Sequence, residues 1–188
     1  MPELPILPFE TEKAWAAWLK RNHATSPGLW LKLDKKTPGA LRYAQALDEA
    51  LCWGWIDGQK RAFDERWWLQ KFTPRGPRSL WSRLNRDKAQ ALIAAGRMQP
   101  AGLAAIEAAQ HNGQWQRAYD SARTAALPDD LAAALEQHPR AKAFYATLNS
   151  ANRYALTFRL QNAKKPETRA RRLSQFIEML EKGEKLHP

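Results

Sequence analysis

Cys52-Trp53-Gly54-Trp55-Ile56-Asp57-Gly58-Gln59-Lys60-Arg61-Ala62-Phe63-Asp64-Glu65-Arg66-Trp67-Trp68-Leu69-Gln70-Lys71-Phe72 reads as two strands and a turn, not as a helix. Aromatic residues recur at strand period, and the pair Asp64-Glu65 stands where a chain reversal is needed. Strands are expected over Trp53–Ala62 and Arg66–Phe72, the second stopped by Pro74, Gly76 and Pro77. Upstream, Leu29, Leu31 and Leu33 alternate with Trp30 and Lys32, the pattern of a half-buried strand. Thr11 is placed to cap a helix that puts Trp15, Trp18 and Leu19 on one face. That helix ends before the turn cluster His23-Ala24-Thr25-Ser26-Pro27-Gly28, and a second helix carries Tyr43, Leu47, Ala50 and Leu51 inward. Helix, strand, helix and hairpin in this order give an α+β fold with a small antiparallel sheet.

Beyond the hairpin the chain reads as helical. Ser79 is placed to cap a helix running to about Ala95, which Gly96 stops; Pro100 opens the next and Gly113 closes it. Further helices are expected from Pro128, Pro139, near Ser150 and Pro166. The expected organisation is an α+β domain over residues 1–115, a connector over 116–127, and a helical C-terminal extension over 128–188.

The formal net charge of +11 is concentrated. Residues 60–97 hold ten Lys/Arg against three Asp/Glu, and residues 153–185 hold nine against four, so the rest of the chain is near −1. Two basic regions on a neutral body suit an anionic ligand or nucleic acid; a solvated basic surface is the plain alternative. The start Met1-Pro2-Glu3-Leu4-Pro5 has neither a basic nor an apolar leader region, and no stretch approaches the roughly 20 apolar residues of a membrane span. A cytoplasmic protein without membrane insertion is therefore expected. Cys52 has no partner for a disulfide, and His23, His111, His138 and His187 lack ligand spacing, so no metal or other cofactor is expected.

Three groups of residues are candidates for a site. Strand alternation would put Trp53, Trp55 and Asp57 on one face, either as a ligand wall or as a core pair with Asp57 holding a turn. Gly54 marks a close approach to backbone or ligand. Arg75 and Arg78 precede the expected helix start at Ser79, where free amides favour an anion, unless Arg75 pairs with Asp57 or Asp64. Trp81, one turn on, can stack on a base or pack beneath the hairpin. In the last helix Leu173, Phe176, Ile177 and Leu180 form a buried stripe, and Arg169 shares that face, where it needs an anionic ligand or a carboxylate. No nucleophile triad, phosphate loop or paired carboxylates can be read.

The blocks Ala50-Leu51-Cys52-Trp53-Gly54-Trp55-Ile56-Asp57-Gly58, Phe72-Thr73-Pro74-Arg75, Gly96-Arg97-Met98-Gln99-Pro100 and Lys164-Lys165-Pro166-Glu167-Thr168-Arg169-Ala170-Arg171-Arg172 resemble the YdeI/OmpD-associated, or bacteriocin-protection, family over nearly the whole chain. The N-terminal part is also similar to the YjbR/CyaY-like, frataxin-related superfamily. The first resemblance implies a setting of antimicrobial resistance, bacteriocin protection or envelope stress, with no catalytic residue to carry over. The second implies an α+β fold; frataxin-like iron binding uses an acidic surface, and the corresponding half here is basic. The expectation is a non-catalytic binder of an anionic partner. The alternative is a small hydrolase or drug-modifying enzyme using Asp57, Arg75 and Arg78.

Overall fold

A computed structural model describes residues 3–122 and 124–188. The chain divides into two units, the first running to Ala118 and the second starting at Tyr119.

In the first unit the order is β1 (Ile6–Pro8), α1 (Glu12–Asn22), β2 (Leu29–Asp34), α2 (Tyr43–Cys52), β3 (Trp55–Ala62), β4 (Trp67–Pro74), α3 (Arg83–Ala94) and α4 (Pro100–His111). The Thr11 hydroxyl accepts from Ala14 N at 3.2 Å and caps α1. The four strands form one sheet in the order β1-β2-β4-β3. It is mixed: β2, β4 and β3 pair antiparallel, and β1 joins β2 in parallel, Ile6 opposite Trp30. The hairpin turn is held by Asp64, whose carboxylate accepts from Arg66 N at 2.9 Å and Trp67 N at 2.7 Å. A bulge between Asp57 and Lys60 interrupts the β3 register. Gln70, almost fully buried, donates to the Gly58 carbonyl there at 2.8 Å.

One face of the sheet is dry. Leu29, Leu31, Leu33 and Phe72 pack on Trp15 and Leu19 of α1 and Leu47 and Leu51 of α2. Trp15 is fully buried and donates its indole N–H to the Ala46 carbonyl at 3.0 Å, so its polar atom carries no desolvation penalty. Gly54 has φ of +72°, closing α2 and turning the chain into β3. A Cβ there would lie 2.7 Å from the Ala101 carbonyl, and one at Gly102 would collide with the Cys52 carbonyl. What Gly54 admits is thus the backbone of α4. The same turn takes Trp53 off the strand, correcting the expected start of β3 by two residues, since Trp53 is the C-terminal cap of α2.

The second unit is helical: α5 (Asp129–Gln137), α6 (Pro139–Thr147), α7 (Ser150–Gln161) and α8 (Pro166–Glu181). Asn149 caps α7 by accepting from Asn152 N at 2.9 Å. Phe176, Ile177 and Leu180 of α8 are buried against Leu131, Leu135, Leu156 and Leu160. The fold class is α+β, with the C-terminal part entirely helical. Among the described residues no helix is long and apolar enough to cross a membrane.

Candidate functional site

The second face of the sheet has a different composition. Because Leu29, Leu31 and Leu33 point into the core, Trp30 and Lys32 point out, and the register carries Lys71, Leu69 and Arg61 onto the same side. The Lys32 ammonium lies between two rings, 4.6 Å from the centre of Phe63 and 4.8 Å from that of Trp67. The Arg61 guanidinium lies 4.3 Å from the centre of Trp30, and that of Arg66 lies 4.8 Å from Trp67. Leu69, between Lys32 and Arg61 in the register, is fully buried. Among the described residues Lys32, Arg61 and Lys71 have no carboxylate partner. Lys32 and Arg61 are thus steadied by ring faces that leave their charges uncompensated.

Arg66 differs. Its Nε donates to Asp34 at 2.7 Å, and the Asp34 carboxylate also accepts from Lys36 N, Thr37 N and the Thr37 hydroxyl at 2.7–2.8 Å. These donors, Thr37 N–H foremost and then Arg66, hold the Asp34 carboxyl below the usual carboxylate range. Asp34 therefore braces the loop after β2 and leaves the face net positive.

The residues singled out from sequence are dispersed. Trp55 is buried and donates to the His23 carbonyl at 3.1 Å, whereas Trp53 packs on the His23 ring at 4.6 Å. Asp57 accepts from the Tyr43 hydroxyl at 2.8 Å, joining β3 to α2. The expected shared face of Trp53, Trp55 and Asp57 is not formed, because the Gly54 turn separates the first from the strand. The expected helix start at Ser79 also moves. Ser82 is the cap of α3, accepting from Asn85 N at 3.1 Å. The Ser79 hydroxyl instead accepts from Gly76 N at 3.1 Å in a turn. Arg78 on this turn is exposed. Arg75 stacks on Trp81 at 3.6 Å and donates to the Leu80 carbonyl at 3.2 Å. Trp81 is itself buried, edge-on to Trp115 at 4.8 Å. The Cys52 thiol is pushed up to about 11, by burial and then by Glu49, so it stays protonated near neutral pH.

In the second unit Arg169 meets a carboxylate of its own chain. It grips Asp130 through Nε at 2.7 Å and Nη2 at 2.8 Å, and Nη1 donates to the Leu160 carbonyl at 2.8 Å. The fork ties α8 to α5 and α7 and holds the Asp130 carboxyl below its ordinary value. Of the two roles open to Arg169 in the sequence, the ion pair is the one formed. Among the described residues no three His, Cys, Asp or Glu side chains gather as metal ligands.

Residues 7–105, most of the first unit, match the family described as Domain of unknown function (DUF8412). Residues 124–183 match the family described as Bacteriocin-protection, YdeI or OmpD-Associated. That second match is confined to the helical unit, where the sequence blocks had suggested one family along nearly the whole chain. No curated protein and no solved structure matches.

Proposed function

The chain belongs to the DUF8412 family through its sheet unit, and we propose from the geometry of that unit that it is a non-catalytic binder of single-stranded nucleic acid, working on the outer face of the sheet. One observation carries this reading: Trp30, Phe63 and Trp67 share that face with Lys32, Arg61 and Lys71, and among the described residues those three cations have no carboxylate partner. A base can stack on these rings or on the guanidinium plane that lies over Trp30, and the cations lie within reach of the phosphates that join the bases. A duplex, whose bases are already stacked, can use only the cations. A protein built only for solubility has no need to collect an exposed Phe63 and the half-buried Trp30 and Trp67 on the same face as cations that lack a carboxylate. The bacteriocin-protection match of the second unit supplies the setting, antimicrobial or envelope stress, in which such binding would serve.

The test is fluorescence anisotropy with labelled single strands and duplexes of equal length over a series of salt concentrations. Single strands should bind more tightly than duplex, with slight sequence preference along a homopolymer. With about three phosphates neutralised, the slope of log affinity against log salt should be near −2. Equal affinity for both forms would leave only a diffuse basic surface, and no binding at low salt would remove the reading altogether.

A further inference from the structure

At the Trp67 end of this face the sheet opens into a cleft of about 660 Å³. Its size is that of a site for a small ligand. Phe9, Pro38 and Leu41 line it together with Trp67, and Leu41 is only 2% exposed, so the lining is anchored in the core. Lys32 and Arg66 also line it, so the cleft is continuous with the cationic face.

The rim is held in place from several sides. Asp34 accepts from the amides of Lys36 and Thr37, Arg42 donates to the Thr37 carbonyl at 2.7 Å, and Leu41 N donates to the Glu10 carbonyl at 3.2 Å. A ligand entering such a cleft has little loop ordering to overcome. Two carboxylates line it. The oxygens of Asp34 are already occupied by four donors. The side chain of Glu10 is exposed and makes no hydrogen bond or ion pair among the described residues, so it is the acceptor left to read a ligand.

A carboxylate beside an aromatic and apolar slot selects a heterocycle with two adjacent N–H donors. Guanine presents N1–H and the N2 amino group side by side. Adenine presents its amino group beside a bare ring nitrogen, and uracil flanks its single N–H with carbonyls that repel a carboxylate. We propose that this cleft takes one guanine nucleotide, its base against Trp67 with the Watson–Crick edge on Glu10 and its phosphate toward Lys32. The inference deepens the sheet-face reading by giving the bound strand a fixed end and a base preference, but it can be tested without a strand.

Calorimetric titration of the full chain with guanosine, inosine and adenosine monophosphates and with inorganic phosphate is the experiment. Guanosine monophosphate should bind at least tenfold more tightly than adenosine monophosphate, with inosine monophosphate, which lacks the N2 amino group, in between. Glu10→Gln should erase the difference and leave the melting temperature and the affinity for an oligo(U) strand unchanged. Equal affinity for the purines, equal affinity for phosphate alone, or a Glu10→Gln protein that still prefers guanine would overturn the proposal. If oligo(U) fails to bind while guanosine monophosphate keeps its preference, the sheet-face reading falls and the cleft stands. If oligo(U) binds and no nucleotide is preferred, the reverse holds.

Discussion

Arg61 and Arg169 come from the two basic segments of one sequence and are used in opposite ways. Arg61 lies 4.3 Å from the centre of the Trp30 ring with no carboxylate among the described residues to meet it, whereas Arg169 is forked onto Asp130 at 2.7 and 2.8 Å. A ring holds a guanidinium by its quadrupole and leaves the charge available; a carboxylate holds it by neutralising it. Counting charges along the chain ranks both segments as partner sites. Only the surroundings of each arginine separate a surface kept open for an anion from an internal fastening.

The largest effect expected from this contrast comes from reversing the open cations. Lys32→Glu with Arg61→Glu should lower single-strand affinity by at least a hundredfold, because each change removes a phosphate contact and adds a repulsive charge. Thermal stability should change little, since Arg61 is exposed and Lys32 only half-buried. Arg169→Met should do the opposite: about 1–2 kcal/mol of stability lost, allowing for the partial exposure of the pair, with strand affinity unchanged. Anisotropy and thermal melts on the same preparations decide it, and a loss of binding in Arg169→Met would erase the distinction.

Acid should act on the fastenings. The folded-state pKa values of Asp34 and Asp130 lie below the unfolded value near 3.9, so at acid pH the unfolded chain binds more protons than the folded one. Their contribution is fully present above about pH 5 and is lost as the pH falls below 4. Melting temperature should therefore drop from pH 5 to pH 3, and less steeply in Arg169→Met, which has already lost the Asp130 pair. Identical pH profiles would show that this pair contributes no pH-dependent stability.

The smallest expected effect sharpens the role of the Arg75–Arg78 turn. Arg75→Ala removes the contact with Trp81 and the bond to Leu80, costing about 1 kcal/mol. Arg78→Ala, on an exposed turn, should leave melting unchanged within about 0.5 kcal/mol. A large fall in strand affinity in either variant would return this turn to the binding surface.

Local signals in the sequence were sufficient for most of the elements. Leu29, Leu31 and Leu33 marked β2, and therefore marked Trp30 and Lys32 as outward; Thr11, Pro139 and Pro166 marked helix starts. The parallel strand β1 is three residues long and ends in Pro8, too short to show a period, and its pairing with β2 is set by contacts across the α1 excursion. Ser79 and Ser82 both have cap chemistry. Burial of Trp81 against Trp115, 34 positions away in the sequence, accompanies the use of the second. The outer-face site could be half read. Trp30 is a large aromatic on the polar side of an alternating strand, which is the available signal. Phe63 and Trp67 join it through the hairpin register and the bulge at Asp57–Lys60, neither of which the sequence pattern contains. The partner of Arg169 lies 39 residues upstream, beyond any helical spacing rule.

The central claim is where the strand lies, and photocrosslinking maps that most directly. A single-stranded RNA carrying 4-thiouridine, bound to the full chain, irradiated and digested, should give crosslinked peptides containing Trp30, Phe63 or Trp67. Crosslinks confined to the basic stretch over residues 153–185, with none on the sheet, would contradict the account.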